Sequence, residues 1–330
     1  MFVAAVLKYS FGRLTGGRAN MYHFVVKRSR VLTIVLLLPV LGTAAYAWYS
    51  PFRLMVLVAI GHSPVCPLGR AVKSAEHRAL LTEAKDRILR NSRRERTDQQ
   101  YGLELWSTPK GEFWIPVKNQ YVLPFNLAEM DRKVYGSGEH FIQHGDIVLD
   151  CGASDGDFTR EALQAGAKKV VAIELAPQSI ECLRRNLGSE ISAGRVVVYP
   201  KGVWDKEDQI MLNVSDDNFA ANSVVMRPEG SHSGITAPLT TIDHIVAELG
   251  LPRVDFIKMD IEGAETRAIA GASNTLALYK PRLAITTEHG PDDERTIPQA
   301  VRKVRSDYQV ECGPCLEANG HIRADVLYFY

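Results

Sequence analysis

The chain carries almost no surplus of charge of either sign. Its 39 lysines and arginines meet 38 aspartates and glutamates, a formal net charge of +1 over 330 residues. That balance excludes the basic footprint of a nucleic-acid binder, and no acidic tail is present, so no nucleic-acid partner is expected. Cysteine is scarce. Cys66, Cys151, Cys182, Cys312 and Cys315 are too few in a chain of this length for a disulfide scaffold. There is no internal repeat and no low-complexity tract. The chain therefore reads as one large packed domain or two ordinary ones.

Against these absences stands one long apolar run. Val31–Tyr49, VLTIVLLLPVLGTAAYAWY, holds no charge. At about 1.5 Å per residue it nearly spans the ~30 Å hydrocarbon core of a bilayer. Trp48 and Tyr49 suit an interfacial belt, and Pro39 and Gly42 are tolerable in a membrane helix. Lys27, Arg28 and Arg30 precede the run, with Arg13 and Arg18 behind them. The positive-inside rule puts the N-terminus in the cytoplasm. A signal peptide cleaved near Ala45-Tyr46-Ala47 is the alternative. The expected layout is a basic tail (1–30), a single transmembrane helix (31–50), a linker with an amphipathic helix (51–100) and a catalytic domain (101–330). The protein is expected to be a single-pass membrane protein, with the side of its catalytic domain open.

Ala71 to Arg94 reads as a surface helix, because Leu81, Ala84, Ile88 and Leu89 recur at helical spacing. SRRER, from Ser92 to Arg96, reads as its solvated end. LELWSTPKGEFWIPV, Leu103 to Val117, reads as a β-hairpin turning at Pro109-Lys110-Gly111. From Asp146 short apolar strands alternate with amphipathic helices. Strands are expected at Ile147–Cys151, Val170–Glu174, Val196–Tyr199, Gln209–Val214, Val254–Asp260, Leu283–Thr287 and Arg323–Tyr330. Helices are expected near Phe158–Ala165, Pro177–Asn186, Thr241–Leu249 and Glu265–Ala272. This is an α/β pattern: a doubly wound, Rossmann-like sheet preceded by a hairpin and helix extension. Ligands are expected at the carboxyl ends of its strands.

The first strand runs into Asp150-Cys151-Gly152-Ala153-Ser154-Asp155-Gly156-Asp157. Gly152 and Gly156 allow a tight turn and close approach of a ligand. The spacing is not that of a dinucleotide fingerprint, and Asp150, Asp155 and Asp157 repel phosphate. They attract a sulfonium or ammonium. The second strand ends at Glu174 and Leu175, where an acid can accept from both hydroxyls of a ribose. Ribose and a cationic methionine without phosphate describe S-adenosylmethionine. The cofactor contacts are placed on Asp150, Gly152, Ala153, Ser154, Asp155, Gly156, Glu174 and Leu175.

VLDCGASDGDFT, VAIELAP, GVWD and TTIDHIVAELGLPRVDFIKMDIEGAE, in this order, resemble the FkbM family of S-adenosylmethionine-dependent methyltransferases. The resemblance runs from about Tyr101 to the C-terminus and includes TPKGEFWIP and the acid-then-tyrosine run AEMDRKVYG. Where this chain has Ser154-Asp155, the family loop usually has Asn. The resemblance implies a methyltransferase fold and O-methyl transfer to a hydroxyl or carboxyl of a small molecule, glycan or lipid.

FIKMDIEGAE, Phe256 to Glu265, puts charge inside a buried strand, which makes sense if the strand tip opens onto a wet or ligand-filled cleft. Phe256, Lys258 and Asp260 share one face, so Lys258 and Asp260 are close enough to pair. Methyl transfer needs alignment of acceptor, methyl and sulfur, and a base if the acceptor is an alcohol. Asp260 is the first candidate to orient the acceptor or act as base. Glu262, Lys258, Glu288 and His289 complete the catalytic set, with His289 the better base near neutrality. Asp260, Glu262 and Glu288 also form an oxygen set for a hard divalent cation, but the reading does without a metal. Glu265 reads as first-turn helix stabilisation.

Other signals are set aside. Cys312-Gly313-Pro314-Cys315 falls too late in the fold for a redox motif, though a local disulfide fits an oxidising compartment. His140 and His144 lack further zinc ligands nearby. Asn213-Val214-Ser215 is a sequon that matters only in a lumen. Asn218 to Gly234 reads as a loop over the cleft. The second functional reading is a catalytically inactive, membrane-tethered binding protein that keeps the fold.

Overall fold

A computed structural model describes residues 41–214, 218, 223, 225 and 232–330. They fall into two units, divided between Val56 and Leu57, the second running from Leu57 to Tyr330. In the first, residues 41–48 are helical, and a further helix, Ser50–Ala59, begins there. Among the described residues no helix is long and apolar enough to cross a membrane. Residues 31–40 of the expected span lie outside the described residues.

In the second unit a short helix, Leu68–Ala71, precedes the Ser74–Arg90 helix, which is shorter at both ends than expected. Its Leu81, Ala84 and Ile88 pack on Leu123, Leu127 and Ala128 of a helix at Val122–Asp131. Strands β1 (Arg93–Asp98), β2 (Leu103–Thr108) and β3 (Gly111–Pro116) form an antiparallel sheet in that order. The β2–β3 hairpin turns at Pro109-Lys110, as its sequence predicts. β1 overturns an expectation: the SRRER run is an edge strand, not a helix end. Its first five residues are exposed, so charge can occupy both faces and hide the period-2 signal.

The main sheet begins with β4 (Ile147–Cys151), β5 (Lys169–Ile173) and β6 (Val196–Tyr199). An excursion follows, with β7 (Gly202–Val203), β8 (Asp208–Val214) and β9 (His232–Thr240) forming their own sheet in the order β7-β9-β8. Most of the expected loop between Asn218 and Gly234 lies outside the described residues. The chain returns as β10 (Phe256–Met259) and β11 (Arg282–Thr286), then β12 (Val310–Cys312), β13 (Cys315–Ala318), β14 (His321–Ala324) and β15 (Val326–Phe329). The seven-stranded order is β12-β15-β11-β10-β4-β5-β6. β4, β5, β6, β10 and β11 are parallel, while β15 and β12 are antiparallel. The sequence order reverses between β4 and β10, and a crevice at their carboxyl ends follows from that reversal. All residues of β4 and β10 are buried, which explains why they are apolar apart from Asp150 and Lys258, and those two face each other across the strands at 3.5 Å.

The expected final strand is two strands. It breaks at Asp325, whose N–H donates to the Pro314 carbonyl while its own carbonyl accepts from Thr287. β14 therefore pairs with β13, and β15 joins the main sheet. The same break corrects the cysteine reading. Cys312 ends β12 and Cys315 opens β13, so the two lie on strands of different sheets. Cys315 is bonded to Cys66, and Cys312 remains a buried thiol that donates to the Val65 carbonyl.

Candidate functional site

The crevice is lined from five places. The Val122–Asp131 helix and the segment after it give Asn126, Glu129, Met130 and Tyr135. The β4 loop gives Gly152, Ser154 and Asp157. The end of β5 gives Glu174 and Leu175. Lys201, Gly202, Val203 and Leu239 come from the excursion. β10 and its turn give Lys258, Asp260, Ile261 and Glu262. Free space in it is narrow, about 90 Å³. A wider hollow of about 460 Å³ beside Arg70, Lys73, His77 and Arg132 lacks the glycine loop and the acid tips.

The β4 loop lies hard against β10. Gly152 has φ +80°, and a Cβ there would sit 1.9 Å from the Asp260 carbonyl oxygen. Only glycine fits. The loop is tied to β5 as well, since Gly152 and Ala153 donate to the Ile173 carbonyl at 3.0 and 3.1 Å. Glu174 binds the loop from the other side. Its carboxylate accepts from the Ser154 amide at 2.9 Å and from the Leu175 and Ala176 amides at 2.8 Å. Burial pushes its pKa up, and those amides oppose the rise.

The structure separates the acids that the sequence grouped together. Asp157 lines the crevice; Asp150 and Asp155 do not. Asp155 is fully buried with no hydrogen-bond partner on either carboxylate oxygen. Burial, with Asp157 nearby, raises its pKa well above the ordinary value. Its carboxyl lies under the loop, where burial disfavours the charged form, and it does not face the crevice. Ala153 and Gly156 also face away from the crevice, and Gly156 packs on Leu183 and Leu187. Asp150 accepts from the Thr159 hydroxyl at 2.6 Å.

Lys258 turns to the first strand rather than pairing directly with Asp260. Its Nζ donates to the Gly152 carbonyl at 2.8 Å and lies 3.5 Å from Asp150. Burial disfavours its charge, yet Asp150, Asp260 and Asp157 outweigh burial and raise its pKa. The ammonium also sits over the Tyr135 and Phe158 rings. Burial would raise Asp260 too. Lys258, His289 and the bonds from Tyr135 (2.7 Å) and Thr286 (3.3 Å) reverse that and hold it below the ordinary carboxylate value.

His289 is not the free base expected near neutrality. Its Nδ1 is 3.0 Å from buried Glu265, and its Nε2 is 3.5 Å from Asp260 and 3.6 Å from Glu262. Burial alone would lower its pKa, but these carboxylates push it up to about 12. Glu265 thus holds His289 as well as starting its helix, and its carboxylate also accepts from the Ile261 amide at 3.1 Å. Glu288 is not among the crevice-lining residues and faces Arg323 at 3.8 Å. Atoms of Asp260, Glu262 and His289 lie within 4.8 Å of one another, so the candidate cation set replaces Glu288 with the histidine.

Glu129 and Tyr135 were missed as site residues. Burial, then Asp325 and Asp260, push the Glu129 carboxyl well above its ordinary value. Both residues fall in the acid-then-tyrosine run AEMDRKVYG, which was the available signal. His140 stacks on Tyr330 and His144 is exposed, so neither enters the crevice.

The chain is similar in sequence to known proteins. Over 145 residues the chain is 26% identical to the 2-O-methyltransferase NoeI of Sinorhizobium fredii, covering 39% of this chain and 58% of that protein. Over 160 residues it is 27% identical to the 31-O-demethyl-FK506 methyltransferase FkbM of Streptomyces tacrolimicus, covering 40% and 62%. The chain thus spans about three fifths of the curated relatives it matches. The crystal structure of Methyltransferase FkbM from Methylobacillus flagellatus aligns at 19% identity and TM-score 0.45, over 78% of this chain and 60% of that one. Residues 150–322 match the Methyltransferase FkbM domain, just over half of the chain, and the chain belongs to that family.

Proposed function

We propose that the chain is an S-adenosylmethionine-dependent O-methyltransferase acting on a hydroxyl or carboxyl of a glycan, lipid or small metabolite. One observation carries the reading: Glu174 and Asp260, just past the ends of β5 and β10, and Asp157, at the start of the helix that follows the β4 loop, line one crevice around a loop that only glycine can close. Among the described residues no arginine lines it, and of its two lysines, Lys201 and Lys258, the second is committed to Asp150 and the Gly152 carbonyl. The donor set suits a ribose and a positive charge and disfavours a pyrophosphate. When bound, S-adenosylmethionine supplies an electrophilic methyl on a sulfonium.

Glu174 would accept from the ribose hydroxyls while the loop amides fix its carboxylate. Asp157 would face the cationic end. Lys258 keeps Asp260 ionised, and Tyr135 and Thr286 fix its oxygens. Asp260 would then orient the acceptor hydroxyl and take its proton as transfer proceeds. Replacing Asp260 by Asn should lower methyl transfer to an extracted acceptor fraction about 10²–10⁴-fold. Transfer from labelled S-adenosylmethionine measures this, and an Asn variant as active as the parent removes Asp260 from the chemistry.

Membrane attachment through residues 31–50 is part of the proposal. The full chain should stay with membranes through alkaline carbonate extraction, and its release would end that part. The Cys66–Cys315 bond supports a second reading. It suits an oxidising compartment, where a cytosolic methyl donor is scarce, and there a tethered binding protein makes sense. A folded chain that binds its acceptor but never transfers methyl would favour this reading.

A further inference from the structure

We propose that Asp260, Glu262 and His289 bind one divalent first-row metal ion, of the Mn²⁺ or Zn²⁺ class, on the acceptor side of the crevice. The ion's role there rests on the methyltransferase reading; the ligand set does not.

The geometry comes first. His289 Nε2 lies 3.5 Å from Asp260 Oδ1 and 3.6 Å from Glu262 Oε1. Those separations are long for hydrogen bonds. They suit ligand atoms that share one ion: with each atom about 2.1 Å from a metal, they correspond to angles of about 110–120°. The other ring nitrogen is engaged by Glu265 at 3.0 Å, with only 2% of the Glu265 side chain exposed. A carboxylate on the far nitrogen of a histidine sets the tautomer that leaves the near nitrogen free to ligate.

A second observation points to missing positive charge. Asp325 is 4% exposed, and its Oδ2 has no hydrogen-bond partner. It interacts electrostatically with Glu288 and Asp260, and with Arg323 and His289. The neighbourhood therefore gathers Asp260, Glu262, Glu265, Glu288 and Asp325. Nearby, Lys258 is committed to Asp150 and the Gly152 carbonyl, and Arg323 lies against Glu288. The remaining positive charge is that of His289 itself, in contact with three of these carboxylates; an ion at its Nε2 would displace that proton and offset them with two charges.

Two carboxylate oxygens and one imidazole form a mixed donor set, better matched to Mn²⁺ or Zn²⁺ than to Ca²⁺. Three protein ligands leave positions open. Asp260 and Glu262 line the crevice, so an open position there would take an acceptor oxygen and lower the pKa of its hydroxyl.

The test uses the full chain, stripped with a chelator and titrated with MnCl₂ and ZnCl₂. We expect one ion per chain in calorimetry, at least tenfold weaker binding in Glu262→Gln and no stoichiometric binding in His289→Ala. Spin-echo spectra of the Mn²⁺-loaded parent should carry modulation from a coordinated nitrogen. That measurement decides the matter even if His289→Ala fails to fold. Absence of a stoichiometric ion, binding unchanged in both variants, or a spectrum without nitrogen overturns the site. S-adenosylmethionine is titrated separately into the same preparation. Cofactor binding without the ion removes this site and leaves the methyltransferase reading standing; ion binding without the cofactor does the reverse.

Discussion

Asp157 is the residue whose charge state matters most for the proposed cofactor. It is nearly buried at the mouth of the β4 loop and lines the crevice. Burial raises its pKa, Lys258 and the Phe158 amide hold it back, and the balance leaves it at about 6. Only the ionised form attracts a cation. Affinity for S-adenosylmethionine should therefore fall as pH drops through about 6, by about tenfold between pH 7.5 and pH 5 if only that form binds. Calorimetry at the two pH values checks this, and Asp157→Asn should bind weakly at both. A parent whose affinity is flat across the range would show that Asp157 does not face the cation. The sign for folding is opposite. A carboxyl whose folded pKa lies above its ordinary value favours the fold when protonated, so this contribution is lost as pH rises through about 6.

Among the elements, β1 shows why some of the fold was hidden in the sequence. Glu95 sits at a bulge, between the pairs Arg94–Trp106 and Arg96–Leu105. Charge and a bulge together protect an open sheet edge. Arg93 and Glu95 pair with each other at 2.6 Å on the exposed side. Replacing both with Val should leave Tm within a few degrees but produce concentration-dependent association, read by light scattering. A double variant that stays dispersed at high concentration would mean that the edge needs no such protection. Strands of the main sheet were legible for the converse reason: their short runs are almost wholly apolar, and the bounds expected for β4 and β6 match those observed. The Asp293–Val304 helix was not foreseen because Pro298 lies inside it. In the site, strand-end acids announce themselves, since a carboxylate closing an apolar run is conspicuous. Which of them reach the crevice was not legible. That depends on a loop whose Ser154 takes φ +50° and whose Asp155 turns under the backbone. Glu129 and Tyr135 arrive from a helix and the segment after it, far earlier in the chain, and no local pattern shows that they reach Asp260.

At the scale of the whole molecule, the Cys66–Cys315 bond makes the sharpest prediction. It joins residues 249 positions apart, both in the second unit, and so encloses most of that unit in one covalent loop. A cross-link of this kind acts mainly by restricting the unfolded chain and contributes about 2–4 kcal/mol. Cys66→Ser with Cys315→Ser should therefore lower Tm by several degrees, while Cys312→Ser, which leaves the bond intact, should change it little. A thiol count gives an independent check. Denatured but unreduced protein should titrate three of its five cysteines, namely Cys151, Cys182 and Cys312, and all five after reduction. Five reactive thiols before reduction, in chain recovered from an oxidising compartment, would show that the bond does not form. If the bond does form in the working protein, the second unit operates where thiols are oxidised. On the proposed function, the methyl donor must then reach it from the compartment in which it is made, and methyl transfer in intact cells should depend on that supply even when the purified chain transfers methyl at full rate.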